Sequence, residues 1–77
     1  MEQIDLPIII LAAGASSRMR GRDKLLELVE GDPLLRRQAQ MVRDVTSGPV
    51  IVALPPMPHP RYAVLKGLDV TLSLIHI

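Results

Sequence analysis

Hydrophobic patterning begins with an unbroken run, Ile8-Ile9-Ile10-Leu11, directly after Pro7. A β-branched and aliphatic run without polar alternation predicts a strand buried on both faces, as in a parallel sheet. Ala12 to Lys24 abandons the pattern and reads as a loop, with a short helical turn around Ser16 to Met19. Leu26-Glu27-Leu28-Val29 reads as a short extended piece, and Glu30-Gly31-Asp32 turns the chain. A helix is then predicted with Asp32 as its cap and Pro33 at the first helical position, where a missing N–H costs nothing. Leu35, Ala39 and Val42 recur at helical spacing with Leu34, Met41 and Val45 beside them, while Arg36, Arg37, Gln40, Arg43 and Asp44 fall mostly on the other side. Thr46-Ser47-Gly48 followed by Pro49 stops that helix. Val50 to Leu54 is a second strand.

Strand, helical crossover and strand imply a parallel pair with a right-handed connection. The fold class is therefore α/β, the N-terminal βαβ portion of a Rossmann-like three-layer sandwich, whose ligands bind beyond the carboxyl ends of the strands. The loop after the first strand occupies that place. Pro55 to Pro60 holds four of the chain's seven prolines and reads as a stiff surface connection, with His59 an exposed member of it. Arg61 to Lys66 follows as a short helix ended by Gly67, and Leu68 to Leu72 alternates like a third strand. Residues 1–72 form the domain on this reading and residues 73–77 a tail of doubtful origin.

At 77 residues the chain makes one small domain. It is 48% hydrophobic with Tyr62 its only aromatic, so the core is built from Leu, Ile, Val, Ala and Met, with Met19 and Met41 as fillers. The absence of cysteine excludes a disulfide framework, a thiolate metal site and a cysteine nucleophile, and fits a reducing cytoplasm. A net charge of +1 and a pI near 8.3 give no general pull toward nucleic acid or membrane, and stacking aromatics for single strands are missing. The apolar stretch after Pro7 is far shorter than the roughly 20 residues that span a bilayer. These features describe a soluble protein that is not exported. Charge matters locally instead: Arg18, Arg20, Arg22 and Lys24 against Asp23 place a net +3 in seven residues. Arg36 and Arg37 are expected to face solvent.

The first loop carries the chemistry. Leu11-Ala12-Ala13-Gly14-Ala15-Ser16-Ser17-Arg18-Met19 lets backbone N–H groups approach a ligand closely, and the cations beyond it suit phosphates. It is not a Walker loop, because six residues separate Gly14 from Gly21 and Lys24 is followed by Leu25. The three spaced glycines of the dinucleotide fingerprint are absent as well.

This segment, with Gly21, Lys24 and Gly31-Asp32-Pro33-Leu34-Leu35, resembles the N-terminus of the MobA-like nucleotidyltransferases. Lys24-Leu25-Leu26-Glu27 and the arginine-rich loop look most like the molybdenum cofactor cytidylyltransferase branch. The resemblance implies transfer of CMP, or another nucleoside monophosphate, from a nucleoside triphosphate to a phosphorylated acceptor, with pyrophosphate released. CTP is the favoured donor and a molybdopterin-type cofactor the favoured acceptor. It implies that Leu11, Ala12, Ala13 and Gly14 offer backbone contacts to base and ribose, that Ser16 and Arg18 meet the phosphates, and that Lys24 neutralises charge on the α-phosphate and the leaving pyrophosphate. Arg18 and Lys24 are then the catalytic pair. Arg20 stands where many members have glycine directly after Arg-Met, so the resemblance does not single out one of Arg18, Arg20 and Arg22 as pointing inward. The family's Mg2+ ligand, an aspartate on a later strand end, and its acceptor pocket have no counterpart here, which reads as an N-terminal fragment, incomplete as an enzyme. Ser73 to Ile77 does not resemble family sequence. Alternatives are sugar-nucleotide or guanylyl transfer, or a non-catalytic truncated remnant.

Overall fold

Five consecutive aliphatic residues, Val50 to Leu54, become the middle strand of the sheet. The computed structural model describes residues 3–14, 18–19 and 22–74, with only the backbone of Arg18, Met19 and Arg22. In chain order the elements are β1 (Ile8–Leu11), β2 (Arg18–Met19), β3 (Arg22–Asp23), a 3-10 turn (Lys24–Leu26), β4 (Leu28–Val29), β5 (Asp32–Pro33), α1 (Leu34–Val45), β6 (Val50–Leu54), α2 (Pro60–Ala63) and β7 (Thr71–Leu74).

The main sheet has the order β1-β6-β7 and both of its pairings are parallel. Ile8 lies opposite Val50 and Leu11 opposite Ala53 on one side, and Ile51 opposite Thr71 and Leu54 opposite Leu74 on the other. Two parallel crossovers in sequential order make an α/β, Rossmann-like βαβ arrangement. Strand residues at even positions point to the helices: Ile10, Val52 and Leu54 pack with Leu35, Ala39, Leu25 and Leu65. The odd positions of β1 face the other way, and Ile9 and Leu11 are 60% and 79% exposed. β1 is thus buried on one face and lies at the edge of the sheet. The expectation of two buried faces fails because no described element covers that side. No helix among the described residues is long and apolar enough to cross a membrane.

Several local expectations are corrected. Asp32 does not cap α1. Instead β4 and β5 form a hairpin, Val29 opposite Asp32, whose loop residues Glu30 and Gly31 both take positive φ, 52° and 91°. That is the primed turn that suits strand twist, and it draws Asp32 and Pro33 into the hairpin so that the helix starts one residue later. The Leu34 N–H then donates to the Glu27 carbonyl at 2.8 Å. Arg18 and Met19 are extended, pairing with β3, rather than helical. β7 begins at Thr71, three residues later than predicted, and takes in Ser73 and Leu74. Met41 is exposed on the outer face of α1, not in the core. Arg36 does not face solvent freely: its Nη1 donates to the carbonyls of Val64 and Lys66, at 3.0 and 2.8 Å, and ties α1 to the end of the α2 region.

The stop of α1 fell as expected, at Thr46. Thr46 is fully buried, and its hydroxyl accepts from the N–H groups of Leu6 and Gly48 at 3.1 and 3.0 Å while its one proton has the carbonyls of Ile4 and Leu6 within reach and donates to one of them. This knot anchors the segment that leads into β1. Gly48 is required there by space, since a Cβ would sit 2.7 Å from the Leu6 carbonyl oxygen.

Candidate functional site

The sheet ladder closes where the Ala12 N–H donates to the Ala53 carbonyl at 2.8 Å, and from there the chain departs beyond the carboxyl ends of β1 and β6. Ala12 is buried, Ala13 and Gly14 are half-buried, and Leu11 is exposed. The Ala12 carbonyl accepts from Nη1 of Arg61, as does that of Gly14 at 3.3 Å. Both backbone polar groups of Ala12 are therefore engaged within the chain. Ser16 lies outside the described residues, as does the Arg18 side chain, while the Arg18 backbone pairs with Asp23.

Asp23 organises the far end of the loop. Its Oδ1 accepts from the Leu25 N–H at 3.1 Å and caps the 3-10 turn on which Lys24 stands exposed. Its two carboxylate oxygens also take a fork from Arg61, Nε at 2.8 Å and Nη2 at 3.1 Å. The side chains of Arg61 and Asp23 are 1% and 10% exposed. Burial pushes the Asp23 carboxyl up, but the Arg61 hydrogen bonds and charge and the Leu25 N–H outweigh it, holding the group below the ordinary aspartate value. His59 is not a free linker residue: its Nδ1 accepts from the Arg61 N–H at 3.2 Å and starts α2. With Asp23 matched by Arg61, the one carboxylate in the basic run already has a cation of its own, so it offsets Arg18, Arg20, Arg22 and Lys24 less than the sequence count implies.

The structure thus brings Ala12, Gly14, Asp23 and, through its turn, Lys24 to one place, with Arg61 at the centre. Sequence reasoning missed Arg61. The available signal was weak: a lone arginine after a proline run, and one acid inside a run of cations. A groove along α1 lined by Asp32, Arg36, Gln40 and Asp44 lies on the outer face of that helix and belongs to no part of this loop. Among the described residues no cluster of three or more His, Cys, Asp or Glu side chains forms. Since Asp23 is occupied by Arg61, these residues do not fit a magnesium site.

A parallel βαβ unit with a small-residue loop at its carboxyl edge is an arrangement in which α/β domains commonly hold nucleotides. The chain belongs to the MobA-like NTP transferase domain family, whose model matches residues 8–75. Nucleotidyl transfer from a nucleoside triphosphate is the activity of that class. A comparison with curated proteins gives no significant match.

Proposed function

We propose that the chain holds CTP for transfer of CMP to the phosphate of a molybdopterin-type acceptor, in the cytoplasm. An acceptor phosphate oxygen would bond to the α-phosphorus as the α–β bridging P–O bond breaks, its electron pair leaving with pyrophosphate. Such a transfer depends on positioning and on cations placed where negative charge builds. The carrying observation is that Arg61 and Asp23 set the loop entry at Ala12 and Gly14 beside the turn that presents Lys24. On this reading the backbone of Leu11, Ala13 and Gly14 meets base and ribose, and Ala12 holds that stretch against the sheet. Ser16 and Arg18 meet the phosphates, and Lys24 meets the α-phosphate and leaving group. Any magnesium arrives with ligands outside the described residues.

Calorimetric titration of the full chain with CTP, GTP and ATP tests this. CTP is expected to bind tightest, and Lys24→Ala to weaken it about ten-fold, or roughly 1.4 kcal/mol. Tighter GTP binding would favour guanylyl transfer, equal weak binding of all three would defeat the cytidylyl assignment, and no binding would defeat the nucleotide reading.

A further inference from the structure

Arg61 is as thoroughly buried as the core leucines, yet it is a full charge. Each of its three side-chain nitrogens is committed inside the chain: Nε and Nη2 to the Asp23 carboxylate, Nη1 to the carbonyls of Ala12 and Gly14. Because it is enclosed, it is no phosphate ligand. What it joins is specific. Ala12 and Gly14 are where the loop leaves the sheet, and Asp23 is where the loop returns to the turn bearing Lys24.

A guanidinium is rigid and planar, so gripping a carboxylate with one edge fixes where its remaining nitrogen points. That nitrogen holds the Ala12 carbonyl. In a trans peptide the carbonyl of one residue and the N–H of the next lie in one plane and point in opposite directions. Drawing the Ala12 carbonyl toward Arg61 therefore aims the Ala13 N–H away from it, and that N–H has no hydrogen-bond partner among the described residues. We infer that Arg61 is a positioning residue that staples the two ends of the loop and turns the Ala13 N–H outward as a donor to the nucleoside triphosphate. The ligand in this statement rests on the proposed function above; the staple does not. A lysine cannot reproduce the arrangement, since it lacks the fork that engages carboxylate and carbonyls together.

Backbone hydrogen exchange on the ligand-free full chain tests the staple. The Ala12 and Leu25 amides, bonded to the Ala53 carbonyl and to Asp23, report the two ends of the loop, and the Val52 amide reports the sheet centre. Arg61→Lys is expected to speed exchange at Ala12 and Leu25 at least ten-fold relative to Val52. If all three amides speed up together, Arg61 serves general stability alone and the inference fails. Asp23→Asn leaves the arginine in place and is expected to act in the same direction. Should neither variant fold, acid titration of the unaltered chain serves instead: the loop amides loosen before Val52 if the staple holds them, and with Val52 if it does not. In the nucleotide arm, each variant is expected to weaken CTP at least ten-fold, with the double variant no worse than the weaker single. Wild-type chain that binds no CTP defeats the nucleotide reading but leaves the exchange comparison to decide the staple. Unchanged CTP affinity in both variants refutes the aiming of Ala13.

Discussion

Thr46→Val removes one buried hydroxyl while keeping nearly the same shape, so its effect isolates the knot that leads the chain into β1. The hydroxyl accepts from Leu6 and Gly48 and donates to a carbonyl of the same segment. Valine leaves the buried Gly48 N–H without that partner, at about 1–3 kcal/mol, and the part-buried Leu6 N–H, at roughly half that. The expected loss is about 2–4 kcal/mol, a large share of the stability of a domain this size. At about 4–8 °C per kcal/mol for a small domain, the melting point should fall by roughly 10–25 °C. Thr46→Ser, which restores the hydroxyl and deletes only a methyl, should recover most of that loss. The assay is thermal unfolding followed by far-ultraviolet circular dichroism. A valine variant melting within a few degrees of wild type, or above the serine variant, refutes the assignment of this energy to the hydroxyl.

Two further outcomes follow from the same geometry. Because the folded Asp23 carboxyl lies below its ordinary value, it contributes stability that is complete above the unfolded value near pH 4 and is lost as pH falls through the folded one. Asp23→Asn should therefore be less stable than wild type at pH 7, with the gap narrowing below about pH 4; paired melts from pH 7 to pH 2.5 check this, and a constant gap refutes it. Gly31 has φ of 91° and open space around the position of a Cβ, so Gly31→Ala should cost about 1–2 kcal/mol through backbone strain alone. Gly31→Asn, which tolerates that conformation, should cost less by urea denaturation.

Elements whose cause is local were legible in the sequence. The aliphatic run of β6, the apolar stripe of Leu35 and Ala39, and the stop at Thr46 to Gly48 each follow from neighbours within a turn or a strand. The start of α1 was not, because Asp32-Pro33 carries two competing signals. Cap chemistry favours a helix beginning there, while Glu30-Gly31 favours a hairpin that claims both residues, and the hairpin wins. For the candidate site, the small-residue loop and its cations were legible, whereas its support was not. Arg61 reaches Asp23 across 38 positions and Ala12 across 49, and nothing adjacent to Arg61 distinguishes it from a surface arginine. Arg36 illustrates the same limit, since its partners at Val64 and Lys66 come from an element placed against α1 only by tertiary packing.

The staple also orders events in time. Contacts between residues 49 and 47 positions apart close large loops, and the entropy of closure delays them until nearer contacts have shortened the effective path. Pairing of β1 with β6 brings the two regions together over many bonds at once and shortens the path by which Arg61 reaches Ala12 and Gly14. The loop lies near the start of the chain, yet its geometry is completed only by a residue made much later. A folding chain would thus acquire its sheet first and its capacity to grip a ligand last.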